Sequence, residues 1–322
     1  MRRRVIAMAL VAALGLVAGA AGLAGCASGS GGGGTASGAG AGLPTVTGDY
    51  GSKPTVTIPK SHPPSSLRTS VLHKGDGRAA AKGDLIAIDY VGEIWKTGKV
   101  FDTSFEGGHS PASFTIGTGQ VIDGFDQGLL GQKAGSRVLL VIPPAQGYGT
   151  QGNSAAGISG TDTVVFVVDM LGVHTKDEAA TGTPIAPTAA GLPTVSTGKG
   201  RPTITIPSGK PPAKLVTAVV LQGTGETVKS GDLVVVQYVG VKWADGKTFD
   251  ASWDHGSPAG FPIGVGQVIK GWDTGLVGKH VGDRVLLVVP PADGYGAQGQ
   301  SQAGIKGTDT LVFAVDIVGT YH

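Results

Sequence analysis

The stretch GVGQVIKGWDTGLVGKHVGDRVLLVVPPADGYG, residues 264–296, carries two periodicities side by side. Val268, Ile269, Trp272 and Leu276 fall at i, i+1, i+4 and i+8, one apolar face of a short helix. Arg284 to Val289 is an aliphatic run of strand length. Pro290-Pro291 stops it, because a prolyl nitrogen cannot donate to a ladder. The stretch occurs once earlier, as GTGQVIDGFDQGLLGQKAGSRVLLVIPPAQGYG over residues 117–149, with Val121, Ile122, Phe125 and Leu129 in the helical places.

Outward from there the duplication covers most of the chain, with a period of about 148 residues. IDYVGEIWKTGKVFDTS from Ile88 matches VQYVGVKWADGKTFDAS from Val236, and AGISGTDTVVFVVDMLG matches AGIKGTDTLVFAVDIVG. The front ends match too, KPTVTIP from Lys53 and RPTITIP from Arg201. Units this long are domains, since solenoid repeats are far shorter. In the second copy Val234, Val236 and Tyr238 alternate with Val235, Gln237 and Val239 as a strand, Asp245-Gly246 makes a hairpin turn, and Thr310 to Val318 is a last strand. The expected fold class is α+β: two domains, each an antiparallel β-sheet with one short α-helix laid on it. They span 43–174 and 192–322. The Ala/Thr/Pro-rich segment 175–191 reads as a linker with few residues able to dock, so each domain is expected to fold alone.

Ahead of the repeats lies an address. Arg2 to Arg4 precede an uncharged apolar stretch from Val5 to Leu23, and Leu23-Ala24-Gly25-Cys26 follows. A basic start, an apolar middle and small residues at the cut describe a secretory signal over 1–26. Its end resembles the bacterial lipobox, which implies lipidation of Cys26, the chain's one cysteine. The alternative is an uncleaved membrane helix. Twin-arginine and general export both stay open. Residues 27–42, nearly all Gly, Ser, Ala and Thr, read as a flexible tether. The expected location is extracytoplasmic, lipid-anchored to a bacterial membrane.

Charge excludes one partner class. The formal net charge is +2, and without Arg2, Arg3 and Arg4 the count is 22 basic against 23 acidic residues, so no nucleic-acid partner is expected. The histidines (His62, His73, His109, His174, His255, His280 and His322) show no metal-ligand spacing recurring in both copies. They read as solvated surface residues, with no metal and no cofactor expected. No Gly-x-Ser-x-Gly elbow is present. The glycine pattern from Gly147 follows a Pro-Pro stop and leads into no helix, which excludes a dinucleotide site. What recurs instead is an apolar and aromatic set around one acid, with Tyr148 and Tyr295 in glycine-rich loops and Asp102 and Asp250 inside strand-like runs, where an acid needs a partner.

These residues resemble the FKBP-type peptidyl-prolyl cis-trans isomerases over nearly the whole of both repeats. The motifs are YVG then GK(T/V)FD, GQVI(K/D)G(W/F)D, RVLLV(I/V)PP with GYG, and the TD-(V/L)VF strand. The resemblance implies a curved antiparallel sheet around a short helix and a shallow apolar pocket for a prolyl ring. It assigns Tyr90, Phe101, Asp102, Phe114, Val121, Ile122, Phe125, Tyr148, Ile158 and Phe166 to one pocket. Tyr238, Phe249, Asp250, Phe261, Val268, Ile269, Trp272, Tyr295, Ile305 and Phe313 make the other. The tyrosines and acids are carried over as catalytic and the rest as substrate-binding. Phe125 and Trp272 are the platforms, and the N–H groups of Ile122 and Ile269 with the hydroxyls of Tyr148 and Tyr295 are donors to substrate carbonyls. Many members carry an arginine five residues after the acid; Gly107 and His255 stand there in this chain.

The resemblance implies rotation of X–Pro bonds in exported polypeptides, with macrolide-type ligands also accommodated. Amide resonance sets a barrier of roughly 18–20 kcal/mol and separates charge in the planar form. An apolar cup that disfavours that form lowers the barrier without any covalent step. The rival expectations are a non-catalytic FKBP-like binding or chaperone lipoprotein and a solute-binding lipoprotein, the latter disfavoured by the tandem repeat.

Overall fold

A pair of long strands forms the spine of each repeat. The computed structural model describes residues 42–106, 110–185 and 189–322. The signal, Cys26 and nearly all of the tether lie outside the described residues, as do Gly107 and His109. The N-terminal repeat opens with the hairpin β1 (Thr45–Thr47) and β2 (Thr55–Thr57). There follow β3 (Arg68–His73), β4 (Leu85–Ile94), β5 (Lys99–Thr103), β6 (Ala112–Thr115), α1 (Asp123–Leu129), β7 (Arg137–Ile142) and β8 (Val164–His174). The sheet order is β3-β7-β8-β4-β5, with β6 also on β4 and all pairs antiparallel.

After β9 (Thr183–Pro184) the C-terminal repeat runs through the hairpin β10 (Thr194–Val195) and β11 (Ile204–Thr205), then β12 (Val216–Gln222), β13 (Leu233–Lys242) and β14 (Thr248–Ala251). It continues through α2 (Ser252–His255), β15 (Ala259–Pro262), α3 (Lys270–Leu276), β16 (Arg284–Val289) and β17 (Leu311–Tyr321). Its order, β14-β13-β17-β16-β12, repeats the first and gains β9 at the edge. This is the expected α+β arrangement. The four-residue α2 has no sequence-based expectation behind it, and β17 extends three residues beyond the expected end.

The unbroken apolar runs follow from burial on both faces. In β8, Val164, Phe166, Val168 and Met170 face the cluster around α1, while Val165 and Val167 face a second cluster with Val46 of β1 and Trp95. Both faces are dry, so the strand cannot alternate with polar residues. Each hairpin is clamped by a buried guanidinium. Arg137 pairs with Asp169 through Nε–Oδ1 at 2.6 Å and Nη2–Oδ2 at 2.7 Å, and donates to the carbonyls of Gly48 and Ser52. Arg284 repeats this with Asp316 and the carbonyls of Ser196, Gly198 and Gly200. All its donors are satisfied inside the protein, the condition under which a charge tolerates full burial.

The helices start later than their apolar pattern. α1 and α3 begin at Asp123 and Lys270, so Val121, Ile122, Val268 and Ile269 lie in the preceding turn, with Ile122 and Ile269 as extended N-caps. A carboxylate in the first helical turn orders that segment. Asp126 accepts from the N–H of Gly117 at 2.8 Å and of Gly119 at 2.9 Å, and Asp273 accepts from Gly264 and Gly266. Glycines let the helix approach the sheet: a Cβ on Gly124 would meet Ile142 and one on Gly271 would meet Val289 at 2.7 Å.

Two expectations are corrected. The segment 175–191 is not a free linker. Gln237 Nε2 donates to the carbonyl of Lys176 at 2.8 Å, the Ala180 N–H donates to Asp316 Oδ2 at 2.9 Å, and β9 pairs with β12. Docking runs through backbone groups, which side-chain composition does not reveal. Second, His174 is not a solvated surface residue. It is buried, with Nδ1 2.7 Å from Glu178 Oε2 and Nε2 2.7 Å from the hydroxyl of Tyr321 in the other repeat. Ser110 Oγ also donates across to the carbonyl of Gly231, and Thr115 Oγ1 lies 3.2 Å from Ser257 Oγ. The repeats belong to one compact unit.

A C-terminal fragment beginning at Leu192 should therefore be less stable than one beginning at Lys176. It lacks the strand pairing and the donor to Asp316, each worth about 0.5–1.5 kcal/mol. Equal urea midpoints for the two fragments would show that the docking contributes nothing.

Candidate functional site

A glycine in each central strand makes room for the site. Gly92 of β4 and Gly240 of β13 face two phenyl rings. A Cβ on Gly92 would stand 2.7 Å from Phe101 and 2.9 Å from Phe166, and one on Gly240 would meet Phe249 and Phe313 at 2.6 and 2.9 Å. The strand register shifts at this residue in both repeats, where β5 and β14 pair with the central strand. The rings meet edge-on, 5.5 Å apart in both repeats, and form one wall of a concave surface.

In the C-terminal repeat that surface is a cavity of about 590 Å³, lined by Tyr238, Phe249, Asp250, Phe261, Val268, Ile269, Trp272, Tyr295 and Phe313, with Gln267, Lys270 and Gly294 at its edge. Ile305, expected among the pocket residues, is buried in the same apolar cluster as Tyr238, Trp272 and Phe313. Its counterpart Ile158 is buried in the same cluster as Phe125 and Phe166. Trp272 is the floor. Its ring meets Tyr238, Phe261 and Phe313 edge-on at centroid separations of 5.3, 5.5 and 5.4 Å. Among the described residues its Nε1 is the one buried side-chain nitrogen or oxygen without a hydrogen-bond partner. A buried donor left without an acceptor is a cost to the fold at this position.

The N-terminal repeat gathers the equivalent set. Tyr90, Phe101, Phe114, Val121, Ile122 and Tyr148 pack against the buried cluster that contains Phe125 and Phe166. Phe125 meets Phe114 and Phe166 at 5.5 and 5.0 Å. A phenyl floor has no N–H. Tyr148 also lies edge-on against Phe101 at 6.4 Å, whereas the ring of Tyr295 is exposed to solvent. Both floors are nearly as buried as the core, with Phe125 at 6 % and Trp272 at 5 % exposure.

Each acid has the partner its position demands. Asp102 Oδ2 accepts from the Tyr90 hydroxyl at 2.7 Å, and Asp250 Oδ2 from Tyr238 at 2.6 Å. Burial first, and then the neighbouring carboxylate, push both phenols far above their ordinary range. The same causes raise Tyr148 and Tyr295. All four therefore stay protonated donors near neutral pH. The hydroxyls of Tyr148 and Tyr295 have no protein partner among the described residues, and neither do the N–H groups of Ile122 and Ile269, whose carbonyls accept from the first helical turn. His255 Nε2 lies 3.1 Å from Asp250 Oδ1.

Two roles were not legible in the motif. Asp126 and Asp273 follow the platform residue in sequence, yet they turn away from the pocket to hold the loop that presents Val121 and Val268. The only signal for them was an acid shared by both copies beside a glycine-rich segment. Among the described residues no group of three or more His, Cys, Asp or Glu could hold a metal ion, and no helix is long and apolar enough to cross a membrane.

Residues 76–171 and 224–318, together more than half of the chain, match the profile described as FKBP-type peptidyl-prolyl cis-trans isomerase. Across both repeats the chain is 32 % identical over 253 residues to peptidyl-prolyl cis-trans isomerase FKBP10 of Bos taurus, covering 78 % of this chain and 37 % of that protein. It thus spans little more than a third of the length of that relative. The FK506-binding protein of Streptomyces anulatus is 42 % identical over 121 residues, 38 % of this chain and 97 % of that protein. FkpA from Escherichia coli, a crystal structure, shares 37 % identity over 34 % of this chain and 48 % of its own, with a TM-score of 0.31. With its two matched regions, the chain belongs to the FKBP-type peptidyl-prolyl cis-trans isomerase family.

Proposed function

We propose that this chain is a peptidyl-prolyl cis-trans isomerase with two sites. The observation that carries this reading is an aromatic cup floored by Trp272 and rimmed by donors without protein partners, the Tyr295 hydroxyl and the Ile269 N–H. A prolyl ring enters over the indole and loses its water. The planar imide, with negative charge on oxygen and positive charge on nitrogen, is disfavoured there relative to the twisted form. Fixed donors orient the carbonyls of the substrate backbone. Each tenfold gain in rate requires about 1.4 kcal/mol of preference for the twisted amide. Asp250 and Tyr238 tie the two walls together, as do Asp102 and Tyr90. The same cup accommodates macrolide-type ligands.

The clients we propose are proline-containing exported polypeptides. Their folding outside the cytoplasm can wait tens of seconds for prolyl isomerisation. The sequence before residue 42 supports that setting, with the lipobox-like end at Cys26 as the membrane anchor and the two domains held beyond the tether.

The full-length chain should accelerate isomerisation of X–Pro peptides. Folded protein without acceleration would overturn the enzyme reading and leave a binding module. Both sites are expected to be active, the C-terminal one more so, because an indole presents a larger apolar face than a phenyl ring. Trp272→Phe should then lower kcat/KM about three- to tenfold, corresponding to roughly 0.7–1.4 kcal/mol. No protein hydrogen bond is lost with the indole N–H. Phe is the informative replacement: alanine at so buried a site would cost about 3–5 kcal/mol of stability. An unchanged kcat/KM would remove the platform argument.

Cys26→Ser should release the protein from membranes or leave an unprocessed precursor. Retention with normal processing would count against the lipid anchor.

A further inference from the structure

The pocket acid of the C-terminal repeat has a second partner of a different chemistry from the first. Asp250 Oδ2 accepts from the Tyr238 hydroxyl, and Oδ1 faces His255 Nε2 at 3.1 Å. α2 creates this approach. It follows β14 directly, its four residues bring His255 back over Asp250, and Gly256 ends it at φ +73°. The corresponding chain after Asp102 is one residue longer between the acid and the shared Ser-Pro, and Gly107 takes the place of His255. For Asp102 the described side-chain hydrogen bond is the one from Tyr90.

The geometry points to His255 as a positioning residue whose charge state sets how firmly Asp250 is held, so that the C-terminal site responds to pH through this pair. The inference rests on the isomerase reading above. Imidazole changes charge between about pH 5 and 8. As imidazolium it donates a charge-assisted bond to the carboxylate and cancels its charge at the mouth of an apolar cup. As neutral imidazole it offers at most a neutral hydrogen bond. Asp250 then carries an uncompensated charge that keeps water beside the place where the prolyl imide must be dry.

Of the surrounding charges only Asp254 also interacts electrostatically with His255, and the others are engaged elsewhere. Asp254, next to His255 in α2, is engaged by the Arg201 guanidinium at 2.5 Å. Lys270 at the cavity edge is engaged by Asp293 at 2.8 Å. On β13, against which α2 packs, Lys242 is turned to Asp245 in the hairpin at 3.7 Å, and Tyr238 is the hydroxyl already counted. From the loop after β16, Tyr295 faces Asp250 as a protonated phenol. His255 and Asp250 are 59 % and 36 % exposed, so solvent reaches the imidazole and the effect is that of a solvated pair rather than a buried one.

The test compares full-length wild type, His255→Arg and His255→Gln, all with the same N-terminal site. In the wild type, kcat/KM for an X–Pro peptide should fall about two- to fivefold from about pH 5.5 to about pH 8.5, the range for an exposed ion pair. His255→Arg should hold the low-pH value throughout, and His255→Gln should lie at the high-pH value throughout. Superimposable profiles for all three proteins would overturn the proposal. A second readout needs no turnover: the His255 ring-proton resonance, assigned by its loss in His255→Gln, followed by NMR against pH in wild type and Asp250→Asn. A lower titration midpoint in Asp250→Asn supports the pair, and an identical midpoint refutes it. Absence of isomerase activity in every protein would refute the enzyme reading, while the NMR titration would still decide the pair.

Discussion

One missing side chain in each central strand governs the site. At Gly92 and Gly240 the strand presents bare backbone to two phenyl rings, and any Cβ would drive at least one of them outward. With the rings seated on the strand, the floor residue from the helix can reach them, and the cup closes around Phe125 or Trp272. The tyrosine two residues before the glycine then stands opposite the acid that follows the first phenylalanine, and the two are bonded in both repeats. The pocket is thus continuous with the core: its floor is nearly as buried as the strands beneath it, and the rim is open.

The frame holding this cup is the same twice, but its edges are closed differently. In the N-terminal repeat Asp169 accepts from the N–H of Gly51 in the leading hairpin, whereas in the C-terminal repeat Asp316 accepts from Ala180 in the connecting segment. Asp89 of β4 becomes Gln237 of β13, and the amide nitrogen gained there holds the carbonyl of Lys176. Where the first sheet uses its own hairpin, the second recruits the chain leading into it. His174 and Tyr321 occupy equivalent places at the ends of β8 and β17 and meet each other, so like faces of the two repeats are joined.

Function follows from what the cup lacks as much as from its shape. Its tyrosines are kept protonated by burial and by the neighbouring carboxylates, and Trp272 holds a donor that nothing in the protein satisfies. Such a surface suits a step in which no proton or bond is exchanged and only the relative comfort of two amide geometries changes. The imidazole beside Asp250 is a feature of the C-terminal site.

Much of this was legible from residues alone. The duplication, the strand runs ending in Pro-Pro and the helical apolar face lie in local patterns: periodicity, turn chemistry and motif spacing act over a few residues and survive in the linear text, while the pocket set came from the family resemblance. Other features do not. The helix begins after Val121 and Val268 because Asp126 and Asp273 hold the preceding loop, a choice made by hydrogen bonds between residues seven and nine apart. The connecting segment docks through its backbone, to which composition is blind. A histidine in sequence is equally a surface residue or a partner, and only the packing of distant strands made His174 a buried bridge, while a single helical turn made His255 a neighbour of the pocket acid.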